Sequence, residues 1–298
     1  MDHVQPALPD VRLYEVFKKY FCVTKPRLVA ANLVSAAGGM FLAAQGHTSM
    51  ALFLFVMTGL SCVVASGCVL NNYIDRYIDR NMARTCGRVL ATGAISRKGS
   101  LVYAAVLGIA GAAILLAGTN PLTLAVALAG FAIYVGAYSV YLKRSSAYST
   151  VVGSLAGAAP PLAAYCAVRN RFDLGAFIVL GIFSLWQIPH SYAITIFRYT
   201  DYAAVALPVM PVTSSIVATK KHIVWHIVAF ILAAPMLTVS GYAGYAYLAV
   251  ATVLGLGWLG MALSGYKTCD DGLWARRLYL FSILDIFILS IMMAIDSV

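Results

Sequence analysis

Residues 28–79 read LVAANLVSAAGGMFLAAQGHTSMALFLFVMTGLSCVVASGCVLNNYIDRYID, with no Asp, Glu, Lys or Arg before Asp75. An uncharged run of that length holds two helices of about 20 residues, each enough to span a bilayer's hydrocarbon core. The polar cluster Gln45-Gly46-His47-Thr48 supplies a turn between them. The second helix then ends in Asn71-Asn72-Tyr73-Ile74-Asp75-Arg76-Tyr77-Ile78-Asp79. Asn71, Asp75 and Asp79 recur every four residues and Asn72 lies three before Asp75, so a helix gathers four oxygen-bearing side chains toward one side. Such oxygens suit Mg²⁺, which keeps several waters and is usually held by one or two carboxylates plus substrate phosphates. The cluster therefore reads as a site for a diphosphate carried by the metal. Arg76, Arg80, Arg84 and Arg88 follow at four-residue intervals and add cations beside the acids. In a soluble protein a solvated helix end would be the better reading, but ionisable groups at a membrane edge are costly and tend to be functional.

The rest of the chain has the same character. With 61% hydrophobic and 11% charged residues over 298 positions, it falls in the membrane class. Charge-free runs 99–142 and 222–266 each hold two more spans, charge-free 145–168 and 174–197 hold one each, and the last apolar segment, 278–295, holds one more. With the first two spans, this predicts an all-α polytopic membrane protein, nine transmembrane helices in a single bundle. Turn signals at Gly118-Thr119-Asn120-Pro121 and Ser240-Gly241-Tyr242 support dividing the long runs. Segment 202–219 also lacks charge, but Pro208 and Pro211 argue against a tenth crossing, so it is read as an ordered loop or interfacial segment.

This parity places every Lys and Arg except Arg169 and Arg171 on one side. By the positive-inside bias that side is the cytoplasm, with the amino terminus (segment 1–26) inside and the carboxyl terminus outside. The net charge of +10 is then a loop bias, and no nucleic-acid partner is expected. No signal-peptide core precedes the first span, which should itself direct insertion. Six cysteines lack CxxC or zinc spacing and read as packing residues. The whole of 1–298 reads as one intramembrane domain.

A second polar centre lies on the same predicted side. Trp186-Gln187-Ile188-Pro189-His190 leads to Arg198-Tyr199-Thr200-Asp201-Tyr202, and a proline-broken apolar stretch, 207–211, then suits a lid over a buried site. Tyr138 and the pair Lys143-Arg144 close the fourth span on that side. Lysine binds phosphate as a point charge and arginine through a bidentate fork, so both suit a diphosphate, although a topology anchor would explain them as well.

These residues bear a resemblance to the intramembrane prenyltransferases, and within them to the haem-modifying branch. The first family motif, Asn-Asp-x-x-Asp-x-x-x-Asp, maps onto Asn71, Asn72, Asp75 and Asp79, with Asn72 where many members have Asp. Arg84-Thr85, Arg88-Val89-Leu90, Tyr138 with Lys143-Arg144, Gly157-Ala158-Ala159-Pro160-Pro161 and Pro189-His190-Ser191 also look like that branch. The second acidic motif departs from quinone-type relatives, because Arg198-x-x-Asp201-Tyr202 supplies one acid where they carry two or more. The resemblance implies transfer of a farnesyl group from farnesyl diphosphate to a vinyl group of haem b, with water adding a hydroxyl to give haem O. It also implies Mg²⁺ as cofactor and a bacterial inner membrane location, and leaves open a homo-oligomer or terminal-oxidase assembly as partners.

On this reading Asp75, Asp79, Lys143 and Arg198 are the catalytic residues, and Asn71, Asn72, Asp75, Asp79 and Asp201 the metal-facing set. Arg76, Arg80, Arg84, Arg88, Lys143, Arg144 and Arg198 would bind the diphosphate. For the haem, His190 stands near the inner end of a proline-loosened span, His222 and His226 share a helix face, and Tyr138 lies between the polar centres. Asp285, alone inside the last span, reads as a helix-to-helix hydrogen bond or a functional group. Two other readings compete: an aromatic or quinone-precursor prenyltransferase, which should keep a multi-acid second loop, and a multi-span transporter, whose polar residues would lie nearer mid-membrane.

Overall fold

A chain inside a bilayer must satisfy its backbone N–H and C=O groups internally, and a helix does so within a single segment. The computed structural model describes residues 9–298; His3 and the beginning of segment 1–26 lie outside the described residues. Among the described residues there is no strand, and nine helices are long and apolar enough to cross a membrane. A short helix α1 (Pro9–Val23) precedes the spans α2 (Pro26–Ala44), α3 (Met50–Arg80), α4 (Arg97–Gly118), α5 (Pro121–Ser145), α6 (Ser149–Arg169) and α7 (Leu174–Phe197). Two short helices, α8 (Tyr199–Ala204) and α9 (Met210–Thr213), occupy the proline-broken stretch without crossing. Spans α10 (Ile216–Val239), α11 (Tyr245–Lys267) and α12 (Asp271–Ile295) complete the chain.

The turns expected from the sequence are built from local caps. Ser49 accepts a hydrogen bond from the Leu52 N–H, Asn120 from the Thr123 N–H ahead of Pro121, and Asp173 from the Ala176 N–H. Each satisfies a donor that a helix start leaves open. After α2 the chain reverses at Gln45 (φ 47°) and Gly46 (φ 80°), both left-handed.

Helix length positions the polar cluster. At 31 residues α3 is roughly 46 Å long, against about 30 Å of hydrocarbon, so its last turns reach the edge of the apolar zone. Loop 81–96 then folds back instead of continuing the helix. Its Leu90, Ala91 and Ile95 are buried, and Leu90 and Ile95 pack with Val23, Val69 and Ala104. The end of α5 departs from a regular span: Ile133–Leu142 is π-helical, and Ser139 Oγ donates to the Tyr134 carbonyl five residues back. Such wider turns are frequent at functional sites.

Helices α6 and α7 pack on each other. The last span, α12, packs on both α7 and α2, which closes the bundle, while α2 also rests on α6. Small residues permit this closure. A Cβ on Gly39 would stand 2.4 Å from the Pro161 carbonyl oxygen, and one on Gly38 2.8 Å from the Ser290 carbonyl oxygen. Backbone thus touches backbone, the kind of contact that drives helix association where lipid removes the hydrophobic contribution.

Gly39→Ala should therefore destabilise the bundle by about 1–3 kcal/mol through overpacking. Gly181, around which a Cβ would meet nothing within 4 Å, is the control, and Gly181→Ala should cost no stability. Thermal unfolding of the two variants in detergent reads the difference.

Candidate active site

All four oxygen-bearing side chains at the end of α3 are buried: Asp75 is 0% exposed, Asp79 3%, and Asn71 and Asn72 4% each. Buried carboxylates need cationic or hydrogen-bonding partners. Lys143, at the end of α5, brings Nζ to 2.5 Å from Asp75 Oδ2, and Asn71 Nδ2 donates to the same oxygen at 2.9 Å. Arg144 Nη2 lies 3.3 Å from Asp75 Oδ1 and donates to the Ile74 carbonyl at 3.0 Å. Asn71 Nδ2 also reaches Ser139 Oγ at 3.0 Å, so the π-helical turn joins the network. Asp79 is held from the folded-back loop: Arg88 Nη1 is 2.9 Å from each of its oxygens, and Thr85 Oγ1 donates to its backbone carbonyl.

A residue passed over in the sequence completes this wall. Lys25, between α1 and α2, donates from Nζ to Asn71 Oδ1 at 2.5 Å. Its backbone sits at φ 55°, an uncommon conformation for a residue with a Cβ. Burial, with Arg88 and Lys143 nearby, lowers its pKa to about 8. Immediately before Pro26 at the start of a span, Lys25 looks like an interfacial anchor; only its positive φ and its neighbours mark it out.

A cavity of about 430 Å³ opens beside these groups. Four cations, Lys25, Arg84, Arg88 and Lys143, line it against one carboxylate, Asp79. A wall of that sign concentrates anions. Deeper in, Leu60, Val63, Phe131, Tyr134, Phe183 and Trp186 make it apolar and aromatic, with Gln187 and His190 among them. Tyr138 and Tyr202 also face it, and burial raises the Tyr202 pKa, keeping its hydroxyl a hydrogen-bond donor.

Other expected site residues are placed elsewhere. Asp75 and Asn72 stand behind the wall, as does Arg144. The helix ends at Arg80, so the four-residue spacing of the arginines does not form one row. Arg76 lies over the Tyr73 and Tyr77 rings, 4.3 Å from each centroid, and Arg80 Nε donates to the Ala91 carbonyl at 2.6 Å. Arg198 lies over Phe197, 4.3 Å from its centroid, with Arg276 5.8 Å from the same ring. Asp201 faces Arg84 at 3.9 Å and ties the loop after α7 to the loop after α3. On α10, His222 and His226 face each other and Tyr192 of α7, away from the cavity lining.

Among the described residues no group of three or more His, Cys, Asp or Glu side chains converges as a metal site. The set that does gather is two carboxylates and two amides, hard oxygen donors of the kind that hold a cation together with a phosphate ligand. Asn72 adds a specific vacancy in hydrogen bonding. Its Nδ2 donates to the Val23 carbonyl at 2.7 Å while its buried Oδ1 has no hydrogen-bond partner among the described residues, an orphaned oxygen about one helical turn from Asp75. The donor set fits a divalent ion that arrives with an anionic substrate.

The UbiA prenyltransferase family model matches residues 32–291. A Serratia proteamaculans protein named protoheme IX farnesyltransferase is 57% identical over 281 residues, covering 94% of this chain and 95% of its own. The solved structure of a digeranylgeranylglyceryl phosphate synthase superposes with a TM-score of 0.76 at 15% identity, over 94% of this chain and 99% of its own. A UbiA homologue from Archaeoglobus fulgidus, bound to GPP and Mg²⁺, superposes with a TM-score of 0.69 at 14% identity, over 93% of this chain and 99% of its own. Its sequence match and its helical architecture agree: the chain belongs to the UbiA prenyltransferase family.

Proposed function

We propose that this chain transfers the farnesyl group of farnesyl diphosphate to a vinyl group of haem b, with addition of water, giving haem O and diphosphate. One observation carries the reading: a single cavity runs from a wall of four cations and one carboxylate into an apolar, aromatic interior. The named relatives at 57% identity support the same substrates. The basic end of the bundle faces the cytoplasm and the protein resides in a bacterial inner membrane, as its distribution of Lys and Arg supports. Residues 1–298 act as one intramembrane domain.

Lys25, Arg84, Arg88 and Lys143 bind the diphosphate. Asp75, Asp79, Asn71 and Asn72 would hold Mg²⁺, which when bound neutralises charge on the leaving group as a Lewis acid. Lys143 is suited to follow the charge, since one ammonium can serve both Asp75 and a phosphate oxygen. The C–O bond to the diphosphate breaks, and the allylic cation lies beside Tyr134 and Tyr138, whose rings stack with centroids 6.2 Å apart. Aromatic faces stabilise a cation, and the apolar wall keeps water away until the vinyl carbon attacks. The second cation, next to the porphyrin, takes the oxygen of water and releases a proton. An aromatic or quinone-precursor substrate is disfavoured by the single acid, Asp201, in the second loop. A transporter is disfavoured because the charged groups cluster at one end.

Purified protein in detergent, given haem b and farnesyl diphosphate, should form a haem heavier by one farnesyl group and one hydroxyl group, and chelation of Mg²⁺ should stop it. Product from 4-hydroxybenzoate but none from haem, read by mass spectrometry, would overturn this assignment. Asp75→Asn should abolish turnover with the protein still inserted, and Lys143→Ala should lower kcat/KM by about 10²-fold, the scale of losing one charge-stabilising donor.

The pH dependence should report Lys25. Its ammonium is charged below about 8 and loses its proton as pH rises through that value, so free-enzyme affinity for the diphosphate should fall above pH 8. A profile of kcat/KM against pH for farnesyl diphosphate should bend there, and Lys25→Arg should remove the bend. An unchanged bend in that variant would assign it to another group.

A further inference from the structure

His190 is held on three sides. Trp186 stacks on its ring with centroids 4.6 Å apart, and Tyr279 of α12 lies at 5.1 Å. Nδ1 is 2.7 Å from the hydroxyl of Ser282, a fully buried residue one turn along α12 from Tyr279. Ser282 also fixes the neighbouring indole, since Trp186 Nε1 donates to its backbone carbonyl at 2.9 Å.

The hydroxyl of Ser282 has one proton, and it donates it to the Tyr279 carbonyl at 2.7 Å. With that proton directed to the Tyr279 carbonyl, the hydroxyl meets His190 as an acceptor, and the neutral imidazole then carries its proton on Nδ1. An imidazolium is disfavoured among apolar helices with no carboxylate bonded to it. Nε2 therefore carries a lone pair. It has no hydrogen-bond partner among the described residues, and its ring lines the cavity. A neutral imidazole whose far nitrogen is anchored by a hydrogen bond is the usual form of a metal-ligating histidine.

We infer that His190 Nε2 ligates the iron of the porphyrin substrate and that Ser282 is the positioning residue that sets its tautomer and aim. The inference rests on the haem reading above and extends it: binding selects the metal as well as the macrocycle. Trp186 and Tyr279 hold the ring plane, and Ser282 supplies the acceptor that directs Nε2 into the cavity. No covalent bond changes in this step; the iron gains a nitrogen ligand, as haem proteins commonly provide through histidine.

The test compares haem b with metal-free protoporphyrin IX, which lacks only the iron, by titrating each into the full-length protein in detergent. Wild-type protein should prefer the iron form by at least about tenfold. His190→Ala and His190→Gln should bring the two affinities within about twofold, with added imidazole restoring the preference to the alanine variant. Ser282→Ala should lower the preference roughly tenfold and weaken the histidine-ligated signature in the haem absorption spectrum. Unchanged affinity for farnesyl diphosphate reports that each variant is folded. The same preference in wild type and His190→Ala would overturn iron ligation, and a wild-type preference in Ser282→Ala would overturn the positioning role. Failure of the haem reading shows differently, as a wild-type protein that yields no farnesylated haem; these affinities are read without turnover.

Discussion

A fully buried carboxylate at the end of an apolar helix is the constraint on which the site depends. Asp75 has no exposure, and its charge is tolerated because Lys143 and Arg144 at the end of α5 meet it from one side and Asn71 donates to it from within its own helix. Buried ion pairs of this kind add little net stability against an apolar replacement, but removing one partner leaves a costly unmatched charge. The interaction acts mainly on position. It draws the fourth span to the second, fixes Lys143 at the cavity wall, and orients Asn71 so that its carbonyl oxygen faces Lys25.

The same principle shapes the surrounding loops. Asp79 lies one turn beyond Asp75, past the apolar part of α3, and its partner, Arg88, comes from the chain that follows. Arg88 can reach back because Leu90 and Ile95 bury against Val23 and Val69, which turns the loop into an ordered layer over the helix end. Arg84, from that layer, faces Asp201 at 3.9 Å and links the two polar centres. An excess of positive charge results where a diphosphate would enter. Below it, helices brought close by Gly38 and Gly39 leave an apolar, aromatic interior.

Periodicity and charge made much of this legible. Charge-free runs located the spans, because transfer of a charged residue into hydrocarbon is costly wherever the rest of the chain lies. Helical spacing put Asn71, Asn72, Asp75 and Asp79 together, and a 31-residue helix keeps that local geometry in any packing. The arginine series was less reliable as a guide. Arg76 and Arg80 remain on the helix and turn to tyrosine rings and a carbonyl, while Arg84 and Arg88 follow a loop whose path is set by burial of its apolar side chains. Lys25 and Ser282 gave no motif, since an interfacial lysine and a serine inside a span have many ordinary uses.

The sequence by itself determined the helical membrane architecture and the acidic end of α3, both of which follow from hydrophobic length and local helical repeat. Only the tertiary structure decided which cation meets which carboxylate, brought Lys25 to Asn71 across 46 positions, and set Ser282 against His190 across 92. Those contacts depend on crossing and closure of helices distant in the chain, for which neither periodicity nor charge pattern carries a coordinate.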